Sequence, residues 1–417
     1  MENPIFTNDA IVFGLLMASL AFVFHTSSSD NKNWKRFYKF FPPLLMAYLL
    51  PSFLNSFGII SNEHSELYKM AKLYLLPTSL VLMTLSIDLK AVINLGPKSI
   101  IMFLTGTVGI ILGGPLAILI VSYFSPETVG GAGFDAVWRG LTTLAGSWIG
   151  GGANQAAMLE IYQYNPQKYG AMVLVDIIVA NIWMAILLMG IGRTKKIDKW
   201  LGADSSAIET LKNKVESYSA SIARMPSLKD YMIIIGVGFG VTGLSHMFAD
   251  SFPVWLVDTF PSMKESSLSS SFFWLIVVST TLGLILSFTK AKKLEGAGAS
   301  KIGSVFIYIL VATIGMKMNV MQIFENPGLL IVGLIWMTFH VLLLGVVAKI
   351  IKAPYFFLTV GSQANVGGAA SAPIVAAAFN PALAPVGVIL AVLGYAVGTY
   401  GAMLSAYLME LASHVNM

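Results

Sequence analysis

Gly146-Ser147-Trp148-Ile149-Gly150-Gly151-Gly152-Ala153-Asn154-Gln155-Ala156-Ala157-Met158 lies between two apolar half-segments, each too short to cross a bilayer alone. Each glycine weakens a helix by about 1 kcal/mol relative to alanine, and Asn and Gln bring polar groups that need partners. Such a stretch is tolerated at membrane depth only where it faces protein or a water-filled cavity. The pattern returns near the other end of the chain as Gly361-Ser362-Gln363-Ala364-Asn365-Val366-Gly367-Gly368-Ala369-Ala370-Ser371-Ala372-Pro373. Two Gly-rich interruptions at corresponding places in two halves point to the binding site of a transporter.

Composition sets the class. Of 417 residues, 56% are hydrophobic and 11% charged, and mean hydropathy is +0.75. Soluble domains carry about 25% charged residues, so the chain reads as an integral membrane protein. It has no cysteine, which excludes disulfides and thiolate metal sites. The start, Met1-Glu2-Asn3-Pro4, lacks a basic region and an Ala-x-Ala site, so the first apolar run is expected to be a permanent span.

Apolar segments fall at 9–27, 41–60, 68–89, 98–124, the Gly-rich 138–162, and 168–193. A polar linker, 194–230, carries Lys195, Lys196, Lys199, Lys212 and Lys214 among acids and serines and reads as solvated and partly helical. A second set follows at 231–249, 271–289, 303–318, 328–351, the Gly-rich 354–379, and 382–411. The expected organisation is a first repeat 1–193, the linker, and a second repeat 231–417. Thr84-Leu85-Ser86-Ile87-Asp88-Leu89 aligns with Thr313-Ile314-Gly315-Met316-Lys317-Met318, and new spans begin after Gly96-Pro97 and Asn326-Pro327.

The basic residues decide between crossing and dipping. If each Gly-rich segment enters and returns, 20 of the 26 Lys and Arg fall on one side. These are four in 32–39, Lys90, Lys98, eight in 193–229, four in 290–301, Lys349 and Lys352. Lys69, Lys72, Arg139, Lys168, Lys264 and Lys317 lie opposite. If all twelve segments cross, the split is only 17 to 9. The positive-inside rule therefore favours two inverted repeats, each of five crossings plus a Gly-rich re-entrant hairpin or broken helix. Both termini are then outside and the linker is cytoplasmic.

The hairpin tips are the expected solute site. Ser147, Asn154, Gln155, Ser362, Gln363, Asn365 and Ser371 offer directional hydrogen bonds beside Trp148, while Gly151, Gly152, Gly367 and Gly368 allow close backbone approach. Half-helix termini there attract anions and coordinate cations. The bland alternative is tight packing of small residues. Asp176 sits about eight residues into an apolar run, where a carboxylate costs at least about 2.5–3.5 kcal/mol. It reads either as a Na⁺ or H⁺ site with Asn154, Asn181, Thr84 and Thr313 nearby, or as a structural carboxylate paired with Lys317 or Arg139. Asp88 and Lys317 sit at span ends and are expected to snorkel. His340 reads as a packing hydrogen bond. No catalytic motif stands out, since Ser147 is misplaced for Gly-x-Ser-x-Gly, so the chain is not read as an enzyme.

Residues 146–154 and 361–369 resemble a family of bacterial and plastid membrane proteins of unknown function, over nearly the whole chain. That family is grouped with the cation/proton antiporter and anion transporter superfamily, which includes sodium–glutamate and bile-acid symporters. The resemblance implies inverted repeats, a scaffold, an elevator-type core, homodimers and Na⁺ or H⁺ coupling, with Asp176 as the acidic residue beside the crossing point. Val175 precedes it, so the Asp-Asp pair of some antiporters is absent. The combined expectation is an all-α, multi-pass plasma (inner) membrane protein without cofactor or nucleic-acid partner. It is read as a cation-coupled symporter of a small organic, preferably anionic, solute such as an amino acid, dicarboxylate or cell-wall-derived peptide. A cation/proton antiporter, a passive channel and a membrane scaffold are the alternatives.

Overall fold

The computed structural model describes residues 4–61, 65–203, 208, 225–264, 267–318, 326–380 and 383–414, so Lys212 and Lys214 of the linker lie outside the described residues. The regular elements among the described residues are helices, with one isolated bridge between Phe6 and Ile60. In chain order they begin with α1 (Asp9–Ser27), α2 (Lys32–Phe40), α3 (Pro43–Ser56), α4 (Leu67–Met70), a π-helical turn Ala71–Leu75, α5 (Leu76–Leu85) and α6 (Leu89–Asn94). Then come α7 (Pro97–Phe124), α8 (Pro126–Val129), α9 (Val137–Tyr162), α10 (Tyr169–Ile191) and α11 (Thr194–Leu201). The rest are α12 (Leu228–Thr259), α13 (Ser271–Ser287), α14 (Ala299–Gly315), α15 (Gly328–Ile350), α16 (Tyr355–Val366), α17 (Gly368–Phe379) and α18 (Ala384–His414).

Among the described residues six helices, α1, α7, α10, α12, α15 and α18, are long and apolar enough to cross a bilayer. The remaining expected crossings are shorter or interrupted. The first of them, α3, has 14 residues, while α13 and α14 have 17 each, against the ~20 that span hydrocarbon. The expected crossing at 68–89 is helical from Leu67 to Leu85 but widens to a π turn over Ala71–Leu75. The end-of-span charges do not simply reach for water. Asp88 caps α6 through the Lys90 and Ala91 amides and pairs with Lys292, and the Lys317 ammonium sits 3.5 Å from the centre of the Tyr68 ring.

Both Gly-rich segments double back. α9 is broken at Gly151, whose φ of 73° and ψ of −171° lie in a region essentially restricted to glycine. As one straight helix α9 would hold Trp138 and Tyr162 about 36 Å apart. Their ring centres are instead 5.7 Å apart, and the Arg139 guanidinium donates to Tyr162 O at 2.7 Å. The second hairpin turns at Gly367-Gly368, where Gly368 has φ 55°, and brings Phe356 and Phe379 to 5.3 Å. Its open end is fastened to the linker helix, because Asp198 of α11 accepts the Tyr355 amide at 2.7 Å. Burial pushes the Asp198 carboxyl above its ordinary range, and that hydrogen bond opposes the shift.

The long helices α7 and α18 pack on each other and on both hairpins. Glycine makes this possible at one position above all: a Cβ at Gly398 of α18 would overlap Gly150 of the first hairpin tip. Four residues back on α18, Gly394 faces Ile149 O of the first hairpin at 2.7 Å and Ala364 O of the second at 3.6 Å, measured from an added Cβ. The two tips therefore converge on one turn of α18. Gly151→Ala is expected to lower stability by about 1–3 kcal/mol through backbone strain alone, since no neighbour crowds its Cβ closer than 3.8 Å. Gly192→Ala, in open space at negative φ, serves as the control. Equal melting temperatures of the two variants in detergent would contradict the strained-turn reading.

Candidate functional site

Asp176 organises the first hairpin. It is 5% exposed, and its carboxylate accepts from Ser147 Oγ at 2.7 Å, Trp148 Nε1 at 2.6 Å and Gln155 Nε2 at 3.0 Å. Ser147 and Trp148 belong to the arm before Gly151, and Gln155 to the arm after it. One carboxylate of α10 thus pins both arms of the break. Neither Lys317 nor Arg139 is its partner, since those cations go to Tyr68 and to Tyr162 O. Trp148 is also wedged edge-on against Trp336 of α15 at 5.0 Å.

The two asparagines do the same thing in different hairpins. Asn154 Nδ2 donates to Gly150 O and Tyr395 O, and its Oδ1 accepts from Thr399. Asn365 Nδ2 donates to Gly361 O and Phe103 O, and its Oδ1 accepts from Thr107. In each case the outside carbonyl and the threonine are four residues apart on one long helix, α18 or α7. Each side chain uses both donors and its acceptor, so each asparagine is a clamp.

Ser362 is tied in a chain through three helices. Trp183 Nε1 donates to Ser362 Oγ at 2.8 Å, and His340 touches both Ser362 Oγ at 2.8 Å and Gly106 O at 3.0 Å. A carbonyl can only accept, so Nδ1 of His340 carries hydrogen and Nε2 accepts from Ser362. His340 is a packing bridge.

Polar capacity remains open at the glutamines. Gln155 Oε1 and Gln363 Nε2 are buried and have no partner, while Gln363 Oε1 accepts from Ser371 Oγ at 3.0 Å. Each such orphan costs about 1–3 kcal/mol. Gly151, Gly152, Gly367 and Ser371 are only half-buried, so the backbone at both turns is reachable. The helix arms starting at Gly152 and Gly368 point their N-terminal amides at these turns, which favours an anion there. A cavity of about 580 Å³ lined by Thr128, Asp135, Tyr164, Lys168 and Asn326 opens at the other, open end of the first hairpin. There Lys168 and Asn165 hold the Asp135 carboxyl below its ordinary range.

The structure does not gather every expected residue. Asn181 is exposed and donates to Ile177 O of its own helix. Thr84 and Thr313 donate to Leu80 O and Leu310 O of their own helices, and Thr84 packs against Gly283. Asn154 faces α18, away from Asp176. Of the expected cation ligands only Asp176 remains, joined by Ser147 and Gln155. The residues that sequence reasoning passed over are Thr107, Thr399 and Glu160; an isolated hydroxyl or acid in an apolar run carried no spacing signal.

Asp176→Asn turns an all-acceptor group toward three donors, leaving its own amide to face them. It is expected to cost about 1.5–3 kcal/mol, because the neutral amide cannot accept from all three donors and leaves one of them unpaired. Asn154→Ala and Asn365→Ala are each expected to cost about 1–3 kcal/mol. Thermal unfolding of the purified variants checks both, and Asn181→Ala should match the parent.

Comparison with known proteins agrees with the class. The chain is 23% identical over 355 residues to the uncharacterized membrane protein YjcL of Bacillus subtilis (strain 168), covering 82% of this chain and 83% of that one. With six helices long and apolar enough to cross a bilayer among its described residues, the chain is an integral, multi-pass, all-α membrane protein. Residues 14–411 match the family described as protein of unknown function (DUF819), and the chain belongs to that family.

Proposed function

We propose that this protein is a secondary active transporter of a small organic anion, driven by Na⁺ or H⁺. The observation that carries the reading is the pair of unpartnered amide atoms, Gln155 Oε1 and Gln363 Nε2, one on each of two hairpins whose tips meet on α18. Buried orphans are costly, and a solute that satisfies both explains their retention. The N-terminal amides at Gly152 and Gly368 supply the preference for negative charge. We assign the coupling cation to the Asp176 carboxylate, where the Ser147 hydroxyl adds a neutral oxygen, while Gln155 holds the carboxylate through Nε2 and keeps Oε1 for the solute.

The two halves are read as inverted repeats. Residues 98–193 and 328–411 form the moving core, and 41–89 and 271–318 the scaffold of an elevator, working as a homodimer in the plasma membrane. A cation/proton antiporter needs only the carboxylate and leaves the orphan amides unexplained. A channel needs a continuous polar lining, whereas the polar groups here are knotted into two tips.

The test uses the absence of native cysteine. Gly152→Cys and Ala369→Cys are each reconstituted and labelled with an impermeant maleimide from either face, in Na⁺ or K⁺ and across pH. One cysteine is expected to become faster and the other slower when the cation is added, and Asp176→Asn should remove the response. Rates that rise and fall together would indicate a pore and end the elevator reading. Gln363→Met is expected to keep or raise the melting temperature while abolishing any ligand-induced thermal shift from a dicarboxylate and amino-acid panel.

A further inference from the structure

Glu160, near the end of the second arm of α9, has no part in the reading above. Its side chain is 6% exposed and pairs at 2.7 Å with Lys72 Nζ, whose side chain is 25% exposed. The Tyr68 hydroxyl donates to its other oxygen. Lys317, over the Tyr68 ring, adds a second positive field, and the Tyr169 hydroxyl of α10 shares a hydrogen bond with Tyr48 at 3.3 Å.

These groups come from two different bodies. Glu160 and Tyr169 belong to 98–193; Tyr48, Tyr68, Lys72 and Lys317 belong to 41–89 and 271–318. Among the described residues, Lys72–Glu160 is the one salt bridge joining the two sets. Lys72 is presented by the π-helical turn Ala71–Leu75, a widened turn of the kind that recurs at functional sites.

The two partners would fare differently on separation. Lys72 keeps the Phe272 ring of its own body, 4.7 Å from its ammonium, and keeps its contact with water. Glu160 would travel with the hairpin and leave both lysines behind. A buried carboxylate without a cation is disfavoured enough that it takes up a proton instead.

We propose that Glu160 is a proton-binding site on the sliding interface, ionised while the hairpin is docked against Lys72 and protonated when it leaves. The inference rests on the two-body reading above and adds a proton to its cycle. The step is a transfer of one proton from water to a Glu160 oxygen. Lys72 keeps its own proton, and no other bond is made or broken. Acid therefore favours the undocked state, because only that state binds the proton tightly.

The sign can be read without knowing the solute. Spin labels on Lys69→Cys and Ala132→Cys report the distance between the bodies in lipid nanodiscs between pH 5 and pH 8. In the otherwise native chain an undocked population is expected to grow as pH falls. Glu160→Gln should show that population at every pH, and Glu160→Asp should restore the titration. Lys72→Met, which removes the nearer cation, should move the midpoint up by about one pH unit or more. It also stands in should Glu160→Gln fail to fold. A distribution that ignores pH in the native chain, or that titrates unchanged in Glu160→Gln or Lys72→Met, overturns the proton site. The maleimide rates at Gly152→Cys and Ala369→Cys would still report alternating access, so failure here leaves the transport reading standing.

Discussion

The structure depends on one carboxylate satisfying both sides of a broken helix. At Gly151 the backbone ladder stops in a low-dielectric interior, where unsupported arms would splay. Asp176 prevents this by accepting from Ser147 and Trp148 on one arm and Gln155 on the other. Charge-assisted hydrogen bonds contribute about 1.5–3 kcal/mol each, which offsets burying the acid. The carboxylate and the break stabilise each other: the hairpin supplies the donors that make Asp176 tolerable, and Asp176 fixes the hairpin that presents them.

A second division separates saturated amides from unsaturated ones. Asn154 and Asn365 have every donor and acceptor engaged, so they set position and have nothing left for a solute. Gln155 and Gln363 each hold one fixed contact and leave one polar atom free. The longer side chain carries its amide one carbon further from the helix, beyond the backbone contacts that hold the asparagines. Side-chain length acts here together with the face each amide occupies: the asparagines reach α18 and α7, and the glutamines do not.

This is also where the sequence stopped being legible. The Gly-rich breaks, their pairing and the importance of Asp176 were readable, because glycine runs and a lone acid are costly in hydrocarbon and need a local reason. The roles of the amides were not readable. Asn154 and Gln155 are adjacent in sequence but face opposite ways, one to α18 and one to Asp176, and only the tertiary arrangement separates them. Thr84, Thr313 and Asn181 looked like cavity polar groups, yet each hydrogen-bonds within its own helix, a possibility composition cannot distinguish from a ligand. Glu160 escaped notice because its partners, Tyr68, Lys72 and Lys317, lie far away along the chain.

The clamps finally constrain what can move. Asn154 ties the first hairpin to α18, in the second half of the chain, and Asn365 ties the second hairpin to α7, in the first half. Ser405 Oγ of α18 donates to Ile111 O of α7, and Trp336 of α15 donates to Ile110 O. The halves are therefore cross-bonded, and neither can shift alone without breaking several buried hydrogen bonds. A rigid-body movement has to carry both hairpins with α7, α15 and α18 as one unit. Among the described residues the side-chain bonds between that unit and 41–89 or 271–318 are of a different kind: Tyr48 with Tyr169, Thr280 with Thr399, Thr281 with Tyr400, and Glu160 with Tyr68 and Lys72. The first three join neutral hydroxyls, which can exchange one partner or a water molecule for another at little cost. Only the last joins opposite charges, with the acid buried, so it is the contact that any relative movement of the two sets would have to break at an electrostatic cost.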